Sequence, residues 1–179
     1  GTIINTTFKD LLSNYLDNNK SSSIPLIDID NDKLISNGTF IIDKDYILNK
    51  DLTKTYYLLN NKITSYNEKI KLNNNYIETS IYDLKTTINY KDNKLTIKIT
   101  GKVDSSDTSN LKKVKDKVKK NLLNNIEKLI TLETKNDIKI TNINNTIYLK
   151  EKDNFINSYK NSKKNIIIDL KIERRNNYD

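Results

Sequence analysis

NLKKVKDKVKKNLLNNIEKLIT, residues 110–131, is the stretch on which the fold turns. Leu111, Val114, Val118, Leu122, Ile126, Leu129 and Ile130 step by three and four, and Leu123 broadens the stripe. That spacing lays one apolar face along an α-helix of 3.6 residues per turn. Lys112, Lys113, Lys115, Lys117, Lys119 and Lys120 fill the other side. Asp104 and Asp107 precede the helix and Ser109 or Asn110 supplies a cap, so negative charge sits near its positive end. Burying such side chains at ~1.5–3 kcal/mol each makes this helix the expected backbone of the core.

Upstream, from Lys69 to Val103, the period changes to two. Ile81, Leu84, Thr86 and Ile88 are apolar or β-branched, Lys91-Asp92-Asn93-Lys94 makes a turn, and Leu95, Ile97, Ile99 and Val103 alternate with polar residues. This predicts an antiparallel hairpin with one buried face. Earlier still, Asp51 is placed to cap a short helix over Leu52–Asn61, with Leu52, Thr55, Tyr56 and Leu59 on one side. Leu34–Asp43 reads as a strand with a turn or bulge at Asn37-Gly38. Pro25, the only proline, opens an extended stretch, Leu26–Asp30. Thr7–Asn18 predicts an amphipathic helix with Phe8, Leu11, Leu12, Tyr15 and Leu16 on one face, and a polar linker follows it.

Downstream of the long helix, Asp137–Ile143 reads as strand-like and is followed by a mixed segment through Tyr159. Asn165–Arg174 then reads as a final strand in which Ile168, Leu170 and Ile172 alternate with charged residues. The expected fold class is α+β: a mostly antiparallel sheet against the helix 110–131, with additional helices. Residues 1–179 are expected to form one domain, with 1–20 a helical lead-in and 24–179 the main body.

Composition bounds the chemistry. The chain has 179 residues, 35% of them hydrophobic, and its mean hydropathy is -0.72. Asn, Lys and Ile dominate, as the codons of an AT-rich genome would produce. With no His and no Cys, histidine acid/base chemistry, thiolate nucleophiles, disulfides and zinc-thiolate sites are excluded. No pair of carboxylates stands out for general acid/base work, so no catalytic residue is assigned and the chain is expected not to be an enzyme. Glycines at 1, 38 and 101 cannot build a Gly-rich phosphate loop, and no cofactor is expected. Met is absent too, so Gly1 reads as a cloning remnant and the chain as a piece excised from a longer protein.

Net charge is +8, which admits nucleic acid or an anionic membrane surface as partner. The only arginines are Arg174 and Arg175. Base readers and phosphate clamps favour the Arg fork, so no specific nucleic-acid partner is expected. Lys112, Lys113, Lys115, Lys119 and Lys120 are the candidate interaction surface, against the plainer reading of a solvated helix face. Tyr15, Tyr56, Tyr82 and Tyr148 fit apolar faces and read as core, not as a base-stacking ladder. Asp28, Asp30 and Asp32 copy the opening of a calcium loop. Lys33 stands where that loop needs its glycine and Thr39 where it needs its closing glutamate, so the row is a weak metal candidate.

Three stretches carry a family resemblance. Asn37-Gly38-Thr39-Phe40-Ile41-Ile42-Asp43-Lys44-Asp45-Tyr46-Ile47-Leu48, followed by Leu52–Lys62, is one; Lys94–Val103 running into the Lys-rich helix is the second; Ile166–Arg175 is the third. Together they resemble the C-terminal domain of the Ger(x)C family, the C subunits of spore germinant receptors in Bacillus and Clostridium relatives. Asn136-Asp137-Ile138-Lys139-Ile140 stands where that family has a Gly-Phe-Gly-like turn, and Phe155 and Tyr159 fall where it has tryptophans. The resemblance implies a non-catalytic domain of a lipoprotein whose anchor lies upstream, on the outer face of the spore inner membrane. It implies two membrane-embedded partners, the receptor's A and B subunits, and a role in nutrient-triggered germination. The alternative from another class is a basic module that binds nucleic acid or an anionic surface through the lysine face.

Overall fold

The structure, a computed structural model, describes residues 20–30, 33–105 and 110–173, together with Lys9, Leu12, Ser13 and Leu16. Those last four are helical and exposed, while the rest of the helix expected over Thr7–Asn18, including Tyr15, lies outside the described residues.

Among the described residues from 20 to 173, two sheets and four α-helices follow in chain order. Strands β1 (Ser23–Asp30), β2 (Lys33–Ile41) and β3 (Tyr46–Asn49) form an antiparallel sheet in that order. Helix α1 (Lys50–Leu59) leads to the second sheet, β4 (Tyr66–Leu72), β5 (Asn75–Lys91) and β6 (Lys94–Asp104), joined by antiparallel hairpins. Then come α2 (Leu111–Asn136), α3 (Asn142–Glu151), α4 (Phe155–Asn161) and β7 (Lys163–Ile172). β7 lies parallel to β6 at the edge of the second sheet, a crossover that the helices between them make possible. The fold is α+β.

The long helix does what its spacing demands. Leu111, Val114, Val118, Leu122, Ile126, Leu129 and Ile130 are buried, and α2 packs on α1, β4, β6 and β7. Asn110 is the cap: its Oδ1 accepts from the N–H of Lys113 at 3.4 Å. The helix runs past Thr131 to Asn136, where Asp137 turns left-handed (φ 50). Facing it, Leu95, Ile97, Ile99 and Val103 of β6 are fully buried.

The hairpins show how local sequence sets register. Asp92 and Asn93 both have positive φ (50 and 54), the geometry whose twist matches flanking strands in a two-residue turn. Between Ile77-Thr79-Ile81 and Leu84-Thr86 the buried positions step by three instead of two. The structure answers with a β-bulge at Asp83 (φ 52), so that Leu84 returns to the buried face opposite Gly101. In the first sheet, Leu26 pairs with Gly38 and Ile27 with Ser36, which leaves Asn37 as the bulged residue expected there. Gly38 is required by close approach: a Cβ on it would stand 2.6 Å from the carbonyl oxygen of Leu48.

Two expectations are corrected. The cap of α1 is Asn49, whose Oδ1 accepts from Leu52 N–H at 3.0 Å, not Asp51. Residues 137–143 form no strand: 137–141 are a loop leading into α3, of which Asn142 and Ile143 are the first residues, with Ile138, Ile140 and Ile143 buried. Their alternation is real, but the N–H groups of Ile140 and Thr141 are taken by the side chain of Glu133, which leaves no ladder to join.

Candidate functional site

Glu133 sits on the last turns of α2 and is 2% exposed, among the deepest polar groups described. Its Oε1 accepts from Ile140 N–H (3.1 Å), Thr141 N–H (2.8 Å) and Asn144 Nδ2 (2.7 Å). Its Oε2 accepts from Thr141 Oγ1 (2.9 Å) and Tyr159 Oη (2.7 Å). Burial raises the carboxyl pKa, and the hydrogen bonds from Tyr159, Thr141 and Ile140 oppose that rise. Five donors converge on its two oxygens, so the group is a structural clamp. Residue type alone places a glutamate on the solvated side. The missed signal is phase: Glu133 continues the step of Ile126, Leu129 and Ile130.

A second carboxylate is different. Glu68 lies on β4, and its Oε1 is buried without a hydrogen-bond partner. Burial pushes its pKa from 4.5 to about 7; the Lys54 ammonium pulls it down in part and Asp51 pushes it up. It borders a polar cleft of about 670 Å³ between the start of α1, β4 and the middle of α2, walled also by Lys54, Asp51, Asn121, Asn125 and Lys128. Lys54 is held by Asp51 (3.6 Å) and lies 5.7 Å from the ring centre of Tyr66, whose own hydroxyl is raised well above its usual pKa by burial. The cleft offers cations, carboxylates and amides, but no nucleophile poised beside a base.

The residues singled out in the sequence do not converge there. Lys112, Lys113 and Lys120 are exposed and Lys115 and Lys119 half-buried, all on α2 but none lining the Glu68 cleft. Lys113 instead borders a polar hollow of about 600 Å³ with Asn110, Tyr76 and the turn at Asn73–Asn75. Asp28 is exposed and accepts from Asn37 Nδ2 (3.3 Å) and Ile29 N–H (3.0 Å). The backbone of Asp30 ends β1, while its side chain and all of Asp32 lie outside the described residues. Among the described residues no three acidic side chains are grouped to hold a metal ion. Tyr56 and Tyr82 are buried, as core packing requires, and Tyr148 is half-buried edge-on against Phe155. Arg174 and Arg175 lie outside the described residues.

Comparison with known proteins rests on shape. No protein-family model matches the chain, and no curated protein matches it. Among solved structures, the crystal structure of the GerBC protein is similar, with a TM-score of 0.63 at 17% sequence identity. The match covers 98% of this chain and 65% of GerBC, so the chain spans somewhat less than two thirds of that protein's length. At that identity the likeness is one of fold: the chain has a GerBC-like fold.

Proposed function

We propose that this chain is the C-terminal domain of a C-subunit-like component of a spore germinant receptor, acting through protein–protein contacts and not by catalysis. The observation that carries this reading is the likeness to GerBC over 98% of the chain, reached independently of the three sequence stretches that resemble the same family. The chemistry agrees with it. There is no His or Cys, and Glu133 is sealed by five donors. On this reading the partners are the membrane-embedded A and B subunits. A lipid anchor upstream would hold the longer protein on the outer face of the spore inner membrane. Among the described residues no helix is long and apolar enough to cross a membrane.

The exposed Lys112, Lys113 and Lys120 are the proposed contact surface for those partners or for anionic lipid beside them. Tagged chain, incubated with detergent-solubilised spore membranes at moderate salt, should retain the A and B subunits. Deleting the gene should slow nutrient-triggered germination. Retention only on heparin or DNA, lost between low and moderate salt, would replace this reading with that of a basic binding module.

A further inference from the structure

The outer edge of the second sheet is long and regular. β7 pairs with β6 residue for residue from Lys163↔Lys94 to Ile172↔Val103, with no bulge and no proline, and among the described residues no strand lies beyond it. Edges left open in this way are usually short, bulged or covered, because they template pairing with another chain. The opposite edge, β4, is shorter, at seven residues against ten.

The direction of the free groups is determined. Lys163 N–H donates to Asn93 O (2.9 Å) and Glu173 N–H to Val103 O (3.2 Å), so the odd-numbered residues face β6. In a parallel ladder a residue's N–H and C=O point to the same side, and successive residues alternate. The N–H and C=O groups of Lys164, Ile166, Ile168, Leu170 and Ile172 therefore point out of the sheet edge.

Backbone groups accept any extended chain, and side chains choose among them. An antiparallel second copy of β7 about Ile168 sets Ile168 opposite Ile168 and Ile166 opposite Leu170 on the helix-covered face. On the other face it sets Lys163 opposite Glu173, twice, a carboxylate that also holds Lys102 of its own chain (2.8 Å), and Ile167 opposite Asp169. Moving the two-fold to Ile167 opposes Lys163 with Lys171, and moving it to Asp169 opposes Asp169 with itself; like charges directly opposite are destabilising. Two-folds at Ile166 (Lys163 opposite Asp169) and Leu170 (Asp169 opposite Lys171) also join opposite charges, but they pair only 163–169 or 167–173. The register about Ile168 joins opposite charges and pairs the whole of 163–173 through the outward backbone groups. It also covers part of Ile167 and Ile172, each 41% exposed. We infer that β7 pairs antiparallel with β7 of a second copy of this chain about Ile168, joining the two four-stranded sheets across an isologous dimer.

Sedimentation equilibrium over a rising concentration series tests this. The mass should climb to twice that of the chain, and the amides of Ile166, Ile168 and Leu170 should exchange more slowly as concentration rises. Lys163→Glu should weaken the dimer roughly tenfold by turning two attractive pairs into two repulsive ones, and Glu173→Lys, which also breaks the ion pair with Lys102, by at least as much. An equimolar mixture of the two single variants, and the double variant alone, should recover it, since both restore opposite charges. A chain that stays monomeric at every concentration overturns the inference. So does a dimer indifferent to Lys163→Glu, or a mixture no tighter than its parents, either of which would place the contact on another face.

Discussion

Tyr159 donates its phenolic hydrogen to Oε2 of Glu133 at 2.7 Å, across 26 residues of chain, with both groups buried. The contact pins α4 to the end of α2 and, through the other four donors, locks the loop between α2 and α3. Two chemically different substitutions separate the charge from the geometry. Glu133→Ala strands two backbone N–H groups and the Asn144 amide in the interior and should cost about 3 kcal/mol. Glu133→Gln keeps Oε1 for those donors, while its amide nitrogen can donate to the hydroxyls of Thr141 and Tyr159. It should cost less than about 1 kcal/mol. Urea melts of the two variants decide it, and equal losses would mean that shape alone is at stake.

Glu68 ties stability to pH. Burial holds its carboxyl at about 7, above the 4.5 of the unfolded chain, so between those values the folded state keeps a proton that the unfolded state has released. The contribution is complete below 4.5 and is lost as pH rises through about 7. Glu68→Gln should leave stability near about pH 4 almost unchanged and raise it above about pH 8 by roughly 1–3 kcal/mol, allowing for partial solvent screening. Denaturation at the two ends of that range checks it. Glu133, raised in the same direction, is controlled for by repeating the pair in the Glu133→Gln background.

The turn at Asp92-Asn93 holds β5 and β6 in register through two left-handed residues. Asn93 also accepts from Tyr90 Oη (3.3 Å) and, through its carbonyl, from Lys163 N–H (2.9 Å). Asn93→Ala keeps the backbone acceptor but puts alanine, which tolerates the left-handed region less well than asparagine, at φ 54, and drops the Tyr90 bond. A loss of about 1–2 kcal/mol is expected in thermal melts. Asn93→Gly relieves the backbone and should fall within about 0.5 kcal/mol of the parent.

The aspartate row at the end of β1 is tested by calcium. Asp28 is exposed and engaged by Asn37 Nδ2 and its neighbour's N–H, and Lys33 occupies the position where a calcium loop turns on glycine. Millimolar Ca²⁺ should leave the Tm where it was, and a rise of several degrees would show a site.

Residue pattern alone determined the helix 110–131, the β5–β6 hairpin with its Asp92-Asn93 turn and the last strand, and placed a turn or bulge at Asn37-Gly38, of which the structure takes the bulge. In each of these the local preference of the chain and its burial point the same way. What only the tertiary structure decided lies where two signals compete. Asp137–Ile143 alternates like a strand, yet the carboxylate of Glu133, brought in from the preceding helix, captures the N–H groups of Ile140 and Thr141, and 137–141 becomes a loop that runs into α3 at Asn142. Glu133 and Glu68 carry the residue type of a surface and the phase of a core, Glu68 lying between Tyr66 and Ile70 on alternate positions of β4. Whether such a carboxylate is tolerated depends on donors far along the chain, which Glu133 finds and Glu68 Oε1 does not. Period is a property of neighbours in sequence and can be read there; the satisfaction of a buried charge belongs to neighbours in space and exists only once the chain has folded.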